Sequence, residues 1–170
     1  MKTFKEFETT DKTLMIVDAL NLAFRYKHSG ARNFAEDYLR TVESLKKSYK
    51  AQWVIIAADQ GSSSYRKNIY PLYKQNRKDK YDQQTEQERI EFELFFEDFT
   101  QTLELLGEHY PVLRFQGVEA DDIAAYIVSK KRRLAVDEIW LMSSDKDWDL
   151  LIKPGAVSYT HLTLPTKRIV

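Results

Sequence analysis

The stretch GVEADD (117–122) crowds three carboxylates, Glu119, Asp121 and Asp122, directly before an apolar run, IAAYIV (123–128). A helix N-terminus favours acids by about 0.3–1 kcal/mol each, and that explains any one of the three. It does not explain the trio. Two carboxylates about 4 Å apart repel by about 4 kcal/mol at an effective dielectric near 20, so such a crowd needs protons or a cation. In a helix, Glu119 and Asp122 lie three apart and share a face, while Asp121 points elsewhere. A second stretch, SSDKDWDLL (143–151), carries Asp145, Asp147 and Asp149. In an extended turn Asp145 and Asp147 point to the same side. Asp149 fits a cap or supporting group, and Asp147 is an alternative cap for a short helix near Trp148. Two further acids end apolar runs: Asp18 in LMIVD (14–18) and Asp59 in WVIIAAD (53–59). Ligands that are all oxygen select hard cations, Mg²⁺ or Mn²⁺, over zinc. His28 and His109 lie outside the acidic stretches, and the chain has no cysteine.

Opposite in charge is YRKNIYPLYKQNRKDKY (65–81). It contains Arg66, Lys67, Lys74, Arg77, Lys78 and Lys80 against one acid, Asp79, with Tyr65, Tyr70, Tyr73 and Tyr81 interleaved. Cations of this kind neutralise phosphates, and tyrosine rings stack on bases. A solvated loop is the plainer reading, weakened because the segment starts just after Asp59. An acidic, cation-holding edge beside a basic strip suits a phosphodiester backbone. Two divalent ions about 3.5–4 Å apart can stabilise both the attacking and the leaving oxygen of an in-line displacement.

To bring these acids together, the chain needs elements that deliver them to one place. LMIVD, WVIIAAD and EIWLMSSD (138–145) are apolar without clean alternation, the pattern of strands buried on both faces of a parallel sheet. PVLRF (111–115) is a weaker fourth. Helical patterns lie between them. In NFAEDYLRTVESLKKSYK (33–50), Asn33 and Glu36 have capping-box spacing, and Phe34, Tyr38, Val42, Leu45 and Tyr49 recur at steps of three or four. A second helix places Phe92, Phe95, Phe96, Phe99, Leu103 and Leu106 on one face, and a third carries Ile123, Tyr126 and Ile127. The stretch 82–104 holds eight acids and one base, Arg89, and reads as the wet face of that second helix. Strands alternating with helices predict an α/β fold around a parallel sheet. In such sheets ligands sit beyond the carboxyl ends of the strands, where Asp18, Asp59, the 119–122 trio, Asp145 and Asp147 would fall.

Length and composition fit this. The chain's 170 residues suit one domain, with 43% apolar residues for a core. Lys and Arg together number 26, matching 26 acids, so any affinity for nucleic acid must be local. The polar start, MKTFKEFETTDK, does not resemble a signal peptide, and no apolar run approaches the roughly 20 residues of a membrane span. The expectation is a cytoplasmic protein without membrane association.

Four stretches carry a resemblance: LMIVDALNLAFRYKH, AADQGSSSYRKNIYPLYKQNR, GVEADDIAAYIV and SSDKDWDLL. In order and spacing they resemble the 5′-nuclease superfamily, nearest to bacteriophage flap endonucleases (5′→3′ exonucleases). The resemblance implies a PIN-like (resolvase-like) α/β domain, a parallel sheet flanked by helices, with a helical arch inserted over roughly 74–105. It implies that Asp18, Asp59, Glu119, Asp121, Asp122, Asp145 and Asp147 hold two Mg²⁺ or Mn²⁺ ions in a complete protein. Lys74 matches the lysine at the base of the arch, Arg77 a phosphate-binding arginine, and Tyr73 a ring that stacks on a nucleotide. Arg66, Lys67, Lys78 and Lys80 are further candidates for DNA contact. The implied activity is metal-dependent cleavage of branched and 5′-ended DNA by a monomer, in the host cytoplasm if the gene is viral, leaving 5′-phosphate and 3′-hydroxyl.

Two departures accompany the match. The family continues well past this point, with a further Asp pair and a helix-hairpin-helix element for duplex DNA. The ending VSYTHLTLPTKRIV (157–170) resembles a translated sequencing-adapter read-through, which would put the authentic domain at 1–156 and leave a net charge of −2. The fragment is then expected to be incomplete and weakly active or inactive. Rival readings are a receiver-like phosphoacceptor, a haloacid-dehalogenase-type phosphatase, a PIN-type ribonuclease acting on RNA, and a non-catalytic nucleic-acid-binding module. The first two place their acidic pair at the first strand, unlike this chain.

Overall fold

The computed structural model describes residues 12–60, 79, 85–152 and, as backbone only, 157–160. The chain runs β1 (Thr13–Asp18), α1 (Ala19–Ser29), α2 (Ala35–Ser48), β2 (Trp53–Ala58), α3 (Glu86–Gly107), β3 (Val112–Arg114), α4 (Ala120–Ser129), α5 (Lys131–Leu134) and β4 (Glu138–Met142). A 3₁₀ helix (Lys146–Leu151) and β5 (Val157–Thr160) follow. The strands form one sheet in the order β3-β2-β1-β4-β5, with every pairing parallel. The fold is thus α/β with helices on both faces.

β1 shows why its sequence does not alternate. Met15 and Val17 face the core beneath α1, α2 and α3. Leu14 and Ile16 face the opposite core, with Ile123, Ala124 and Ile127 of α4. Every residue of the strand is buried, so both faces require apolar side chains. The chain leaves β1 for β2 on one side and later returns to β4 on the other. The carboxyl ends of β1 and β4 therefore flank a topological switch point, where open α/β sheets form their crevices.

Four details differ from the sequence reading. Asn33 does not cap α2. It lies at φ 52 in the left-handed region that asparagine tolerates, and its N–H donates to Asp98 Oδ2 at 3.1 Å. The helix starts later, at Ala35, with Phe34 as a cap position lacking a side-chain hydrogen bond. Asp98 itself belongs to the acid-rich stretch read as solvated, yet it is 2% exposed. Arg32 Nε donates to it at 2.6 Å, and burial of this acid is tolerated because its charge is paired and hydrogen-bonded. On α3 the buried face is Phe95, Asp98, Phe99, Thr102, Leu103 and Leu106, whereas Phe96 is exposed, one residue (about 100°) off that stripe. Tyr126 is likewise exposed on α4, while Ile123 and Ile127 are buried.

Of the arch region, residues 74–78 and 80–84 fall outside the described residues. Its later part, from Glu86, belongs to α3, which from Phe95 onward packs in the core. Val157–Thr160, inside the tail read as foreign, pairs with β4 at the sheet edge. An open edge accepts a strand-patterned segment of any origin. Among the described residues no helix is long and apolar enough to cross a membrane.

Candidate metal centre

Each acid reaches the sheet's carboxyl edge by a separate local device. Asp18 is the last residue of β1 and also the N-cap of α1, its side chain accepting from the Asn21 N–H. Asp59 follows β2 directly, and its Oδ1 accepts from the Ala120 N–H at 2.6 Å, tying β2 to the start of α4. Glu119 is the N-cap position of α4, and Asp121 and Asp122 lie in its first turn. Asp145 caps the 3₁₀ helix, with Oδ1 accepting from the Asp147 N–H at 2.9 Å. The cap is therefore Asp145, neither Asp147 nor Asp149. Trp148, 1% exposed in the α4-side core, anchors this short helix.

Together these devices make one cavity of about 310 Å³, lined by Asp18, Asp59, Glu119, Asp121, Asp145 and Asp147 with Asn21, Phe24 and Trp148 among its other walls. Asp122 is not part of that wall. One carboxylate oxygen from each of Glu119, Asp121 and Asp122 nevertheless falls within 4.8 Å of the others. A helical register alone separates Asp121 from this pair. The difference arises because Glu119 is extended (φ −88, ψ 157) rather than helical, so the three-apart rule does not apply across it.

The cavity carries unusual electrostatics. Asp18 is 5% exposed. Burial pushes its carboxyl up to about 7, the Ser143 hydroxyl and Asn21 N–H pull it back, and nearby Asp59 and Asp145 raise it further. Tyr38, fully buried beneath, is also pushed well up by burial and by the Asp18 charge, and its hydroxyl donates to Ala19 O at 2.8 Å. An acid this buried, near others, becomes comfortable as a carboxylate when a cation joins it. The donor set in the wall is oxygen, which fits a hard divalent ion.

The sequence reading missed the residues that hold β1 and β4 together. Ser143 Oγ donates to Asp18 Oδ2 at 2.7 Å and accepts from the Asp145 N–H at 3.0 Å. Asn21 Oδ1 accepts from both the N–H and the hydroxyl of Ser144, at 2.9 and 3.0 Å. The signal was present in SSD beside a strand end, but serine there is ordinary turn chemistry. The candidates Lys74 and Arg77, and Arg66, Lys67, Tyr73, Lys78 and Lys80, lie outside the described residues.

Comparison with known proteins adds the following. Residues 13–169 match the 5′-3′ exonuclease, N-terminal resolvase-like domain. The flap endonuclease of Escherichia phage T5 is 46% identical over 153 residues, 89% of this chain and 52% of that protein. A solved structure of T5 5′-exonuclease with bound divalent metal ions (zinc) superposes with a TM-score of 0.85 at 44% identity, covering 90% of this chain and 56% of that one. A variant T5 flap endonuclease in a pseudo-enzyme-product complex with DNA and metal ions gives a TM-score of 0.84 at 44% identity, again covering 90% of this chain and 56% of the other. The chain spans about half the length of the curated relative it matches.

Proposed function

Because this chain belongs to the 5′-3′ exonuclease family through its N-terminal resolvase-like domain, we propose that it hydrolyses phosphodiesters in branched and 5′-ended DNA with divalent cations held in the acidic cavity. The observation that carries this reading is the convergence of six carboxylates on one cavity at the carboxyl edge of the sheet, with the buried Asp18 among them pushed up to about 7. We take the ions to be Mg²⁺ or Mn²⁺, two in a complete protein, held by Glu119, Asp121 and Asp122 together with Asp18, Asp59, Asp145 and Asp147. When bound, such ions supply Lewis acidity, polarising the phosphate and acidifying an attacking water.

The chain's own residues do the rest. The hydrogen bonds on Asp18, Asp59 and Asp145 hold these carboxylates in place before substrate arrives, so little reorganisation accompanies the reaction. Water attacks phosphorus, the bond to the 3′ oxygen breaks, and a 5′-phosphate and a 3′-hydroxyl remain. Lys74 and Arg77 neutralise charge building on the phosphate, Tyr73 stacks on a base, and Arg66, Lys67, Lys78 and Lys80 track the backbone. The protein acts as a cytoplasmic monomer.

The following measurements test this on a chain completed at its C-terminus. With Mg²⁺, a single-stranded 5′ flap should be cut in preference to blunt duplex, and Asp145→Asn should abolish cutting with the unfolding midpoint unchanged, since asparagine also caps a helix. Full turnover by Asp145→Asn removes that residue from the site. Preferred cutting of RNA hairpins favours the PIN-type ribonuclease, and binding without cutting by the completed chain favours the non-catalytic module. Lys74→Ala should slow cutting by at least about 100-fold while weakening DNA binding only a few-fold; equal losses would make Lys74 a phosphate anchor only.

A further inference from the structure

We propose that Ser143 is a positioning residue that sets the cation affinity of the cavity by locking Asp18 and Asp145 into one arrangement. The inference rests on the metal-dependent reading above and adds a role that none of the acids can supply for itself. The Ser143 side chain is completely buried, so its hydroxyl must find its partners within the protein. It has two, and both lead to the site: it donates to Asp18 Oδ2 at 2.7 Å and accepts from the Asp145 backbone N–H at 3.0 Å. One hydroxyl therefore spans the switch point, joining the end of β1 to the residue that opens the 3₁₀ helix.

The register explains why serine is at this place. Val17 pairs with Met142, so Asp18 and Ser143 are the next positions along two neighbouring parallel strands. The ladder stops there, and a short side-chain hydroxyl replaces the missing rung. Asn21 makes a parallel tie from α1 to Ser144. Asp145 in turn accepts the Asp147 N–H, which carries the constraint to the second acid of the turn. Fixing the first Asp thus also fixes the backbone that carries the second. Groups that orient metal-holding side chains typically change affinity by 10–100-fold when removed.

The experiment is Mn²⁺ titration by calorimetry, without DNA, on the wild-type chain and on Ser143→Ala, Ser143→Thr and Val42→Ala, with urea unfolding of each in chelator. Val42 is buried in the core on the α2 side and serves as a destabilised control remote from the cavity. Ser143→Ala is expected to weaken Mn²⁺ binding 10–100-fold. Threonine, which keeps the hydroxyl, should bind within about threefold of wild type, and Val42→Ala should keep wild-type affinity despite lower stability. Mn²⁺ affinity of Ser143→Ala within threefold of wild type overturns the proposal. So does an equal loss in Val42→Ala, which would make the effect one of general stability, and so does a folded Ser143→Thr that binds as weakly as alanine. Failure of the wild-type chain to bind Mn²⁺ at all is a different result: it overturns the metal reading itself, and this inference with it.

Discussion

Replacing Asp18 with asparagine should make the cation-free protein more stable at pH 8 while abolishing divalent-cation binding and cleavage. Opposite effects on stability and function follow from the position of this side chain. Asp18 is 5% exposed, and burial, with Asp59 and Asp145 nearby, holds its carboxyl up to about 7. Unfolded, it titrates near the ordinary value of 3.8. Below about pH 4 the proton is bound in both states and stability is unaffected. Between about 4 and about 7 the folded chain keeps a proton that the unfolded chain has released, so stability falls as pH rises through this window and then levels off. At about 1.4 kcal/mol per pH unit, the ceiling on this loss is about 4 kcal/mol. Water entry and relaxation reduce it, so the expected gain from Asp18→Asn is about 1–3 kcal/mol at pH 8 and much less at pH 5. Urea unfolding in chelator at the two pH values measures it. Asparagine keeps one oxygen for the Asn21 N–H and places an NH2 where Asp18 Oδ2 had accepted from Ser143, an amide that can donate to the serine oxygen instead, so the change removes the charge at nearly constant shape. Equal stability of the two proteins at pH 8, or retained cleavage, would show that Asp18 is not the strained centre of the cavity.

The second large effect is expected from Trp148→Ala. Trp148 is 1% exposed and belongs to the core shared by Ile16, Ile123, Ile127 and Leu141. It also lines the acidic cavity and sits immediately after Asp147. Removing a fully buried Trp costs about 3–5 kcal/mol, a large fraction of a typical domain's 5–15 kcal/mol. Function should fall as well, because the six-residue 3₁₀ helix has few other buried anchors, Trp148 being its one buried residue. A misplacement of about 1 Å in a reacting group can cost about 100-fold in rate. Cleavage by Trp148→Ala at a temperature where it is still folded should therefore drop by at least that factor, and excess Mn²⁺ should not restore it. Trp148→Phe should recover most of the stability. A loss under about 1 kcal/mol with full cleavage would mean that the turn is held by something other than this ring.

Both predictions turn on residues whose surroundings come from distant parts of the chain, and that marks how far the sequence alone could go. The strands were legible because β1 is buried on both faces and β2 and β4 are buried or half-buried over most of their length, so their runs are largely apolar without alternation. The acids that follow them were legible because parallel strands share a carboxyl edge, so a position after one strand is necessarily near the position after the next. The family resemblance rested on the same short stretches, all of which lie within the matched residues 13–169.

Other features depended on partners remote in sequence. Asn33 has the spacing of a cap, but its N–H is taken by Asp98, 65 positions away. Asp98 looks solvated among its neighbours, and only packing of α3 against the loop after α1 reveals it as a buried, paired acid. Ser143 is one serine in a turn until the register of β1 with β4 sets it beside Asp18, 125 positions away. Composition and periodicity record what each residue prefers within its own element, and they sufficed for the sheet and its acidic edge. Which carboxylate is buried, which hydroxyl meets it and which oxygens share a cavity are set by distances between elements, and these exist only once the sheet has assembled.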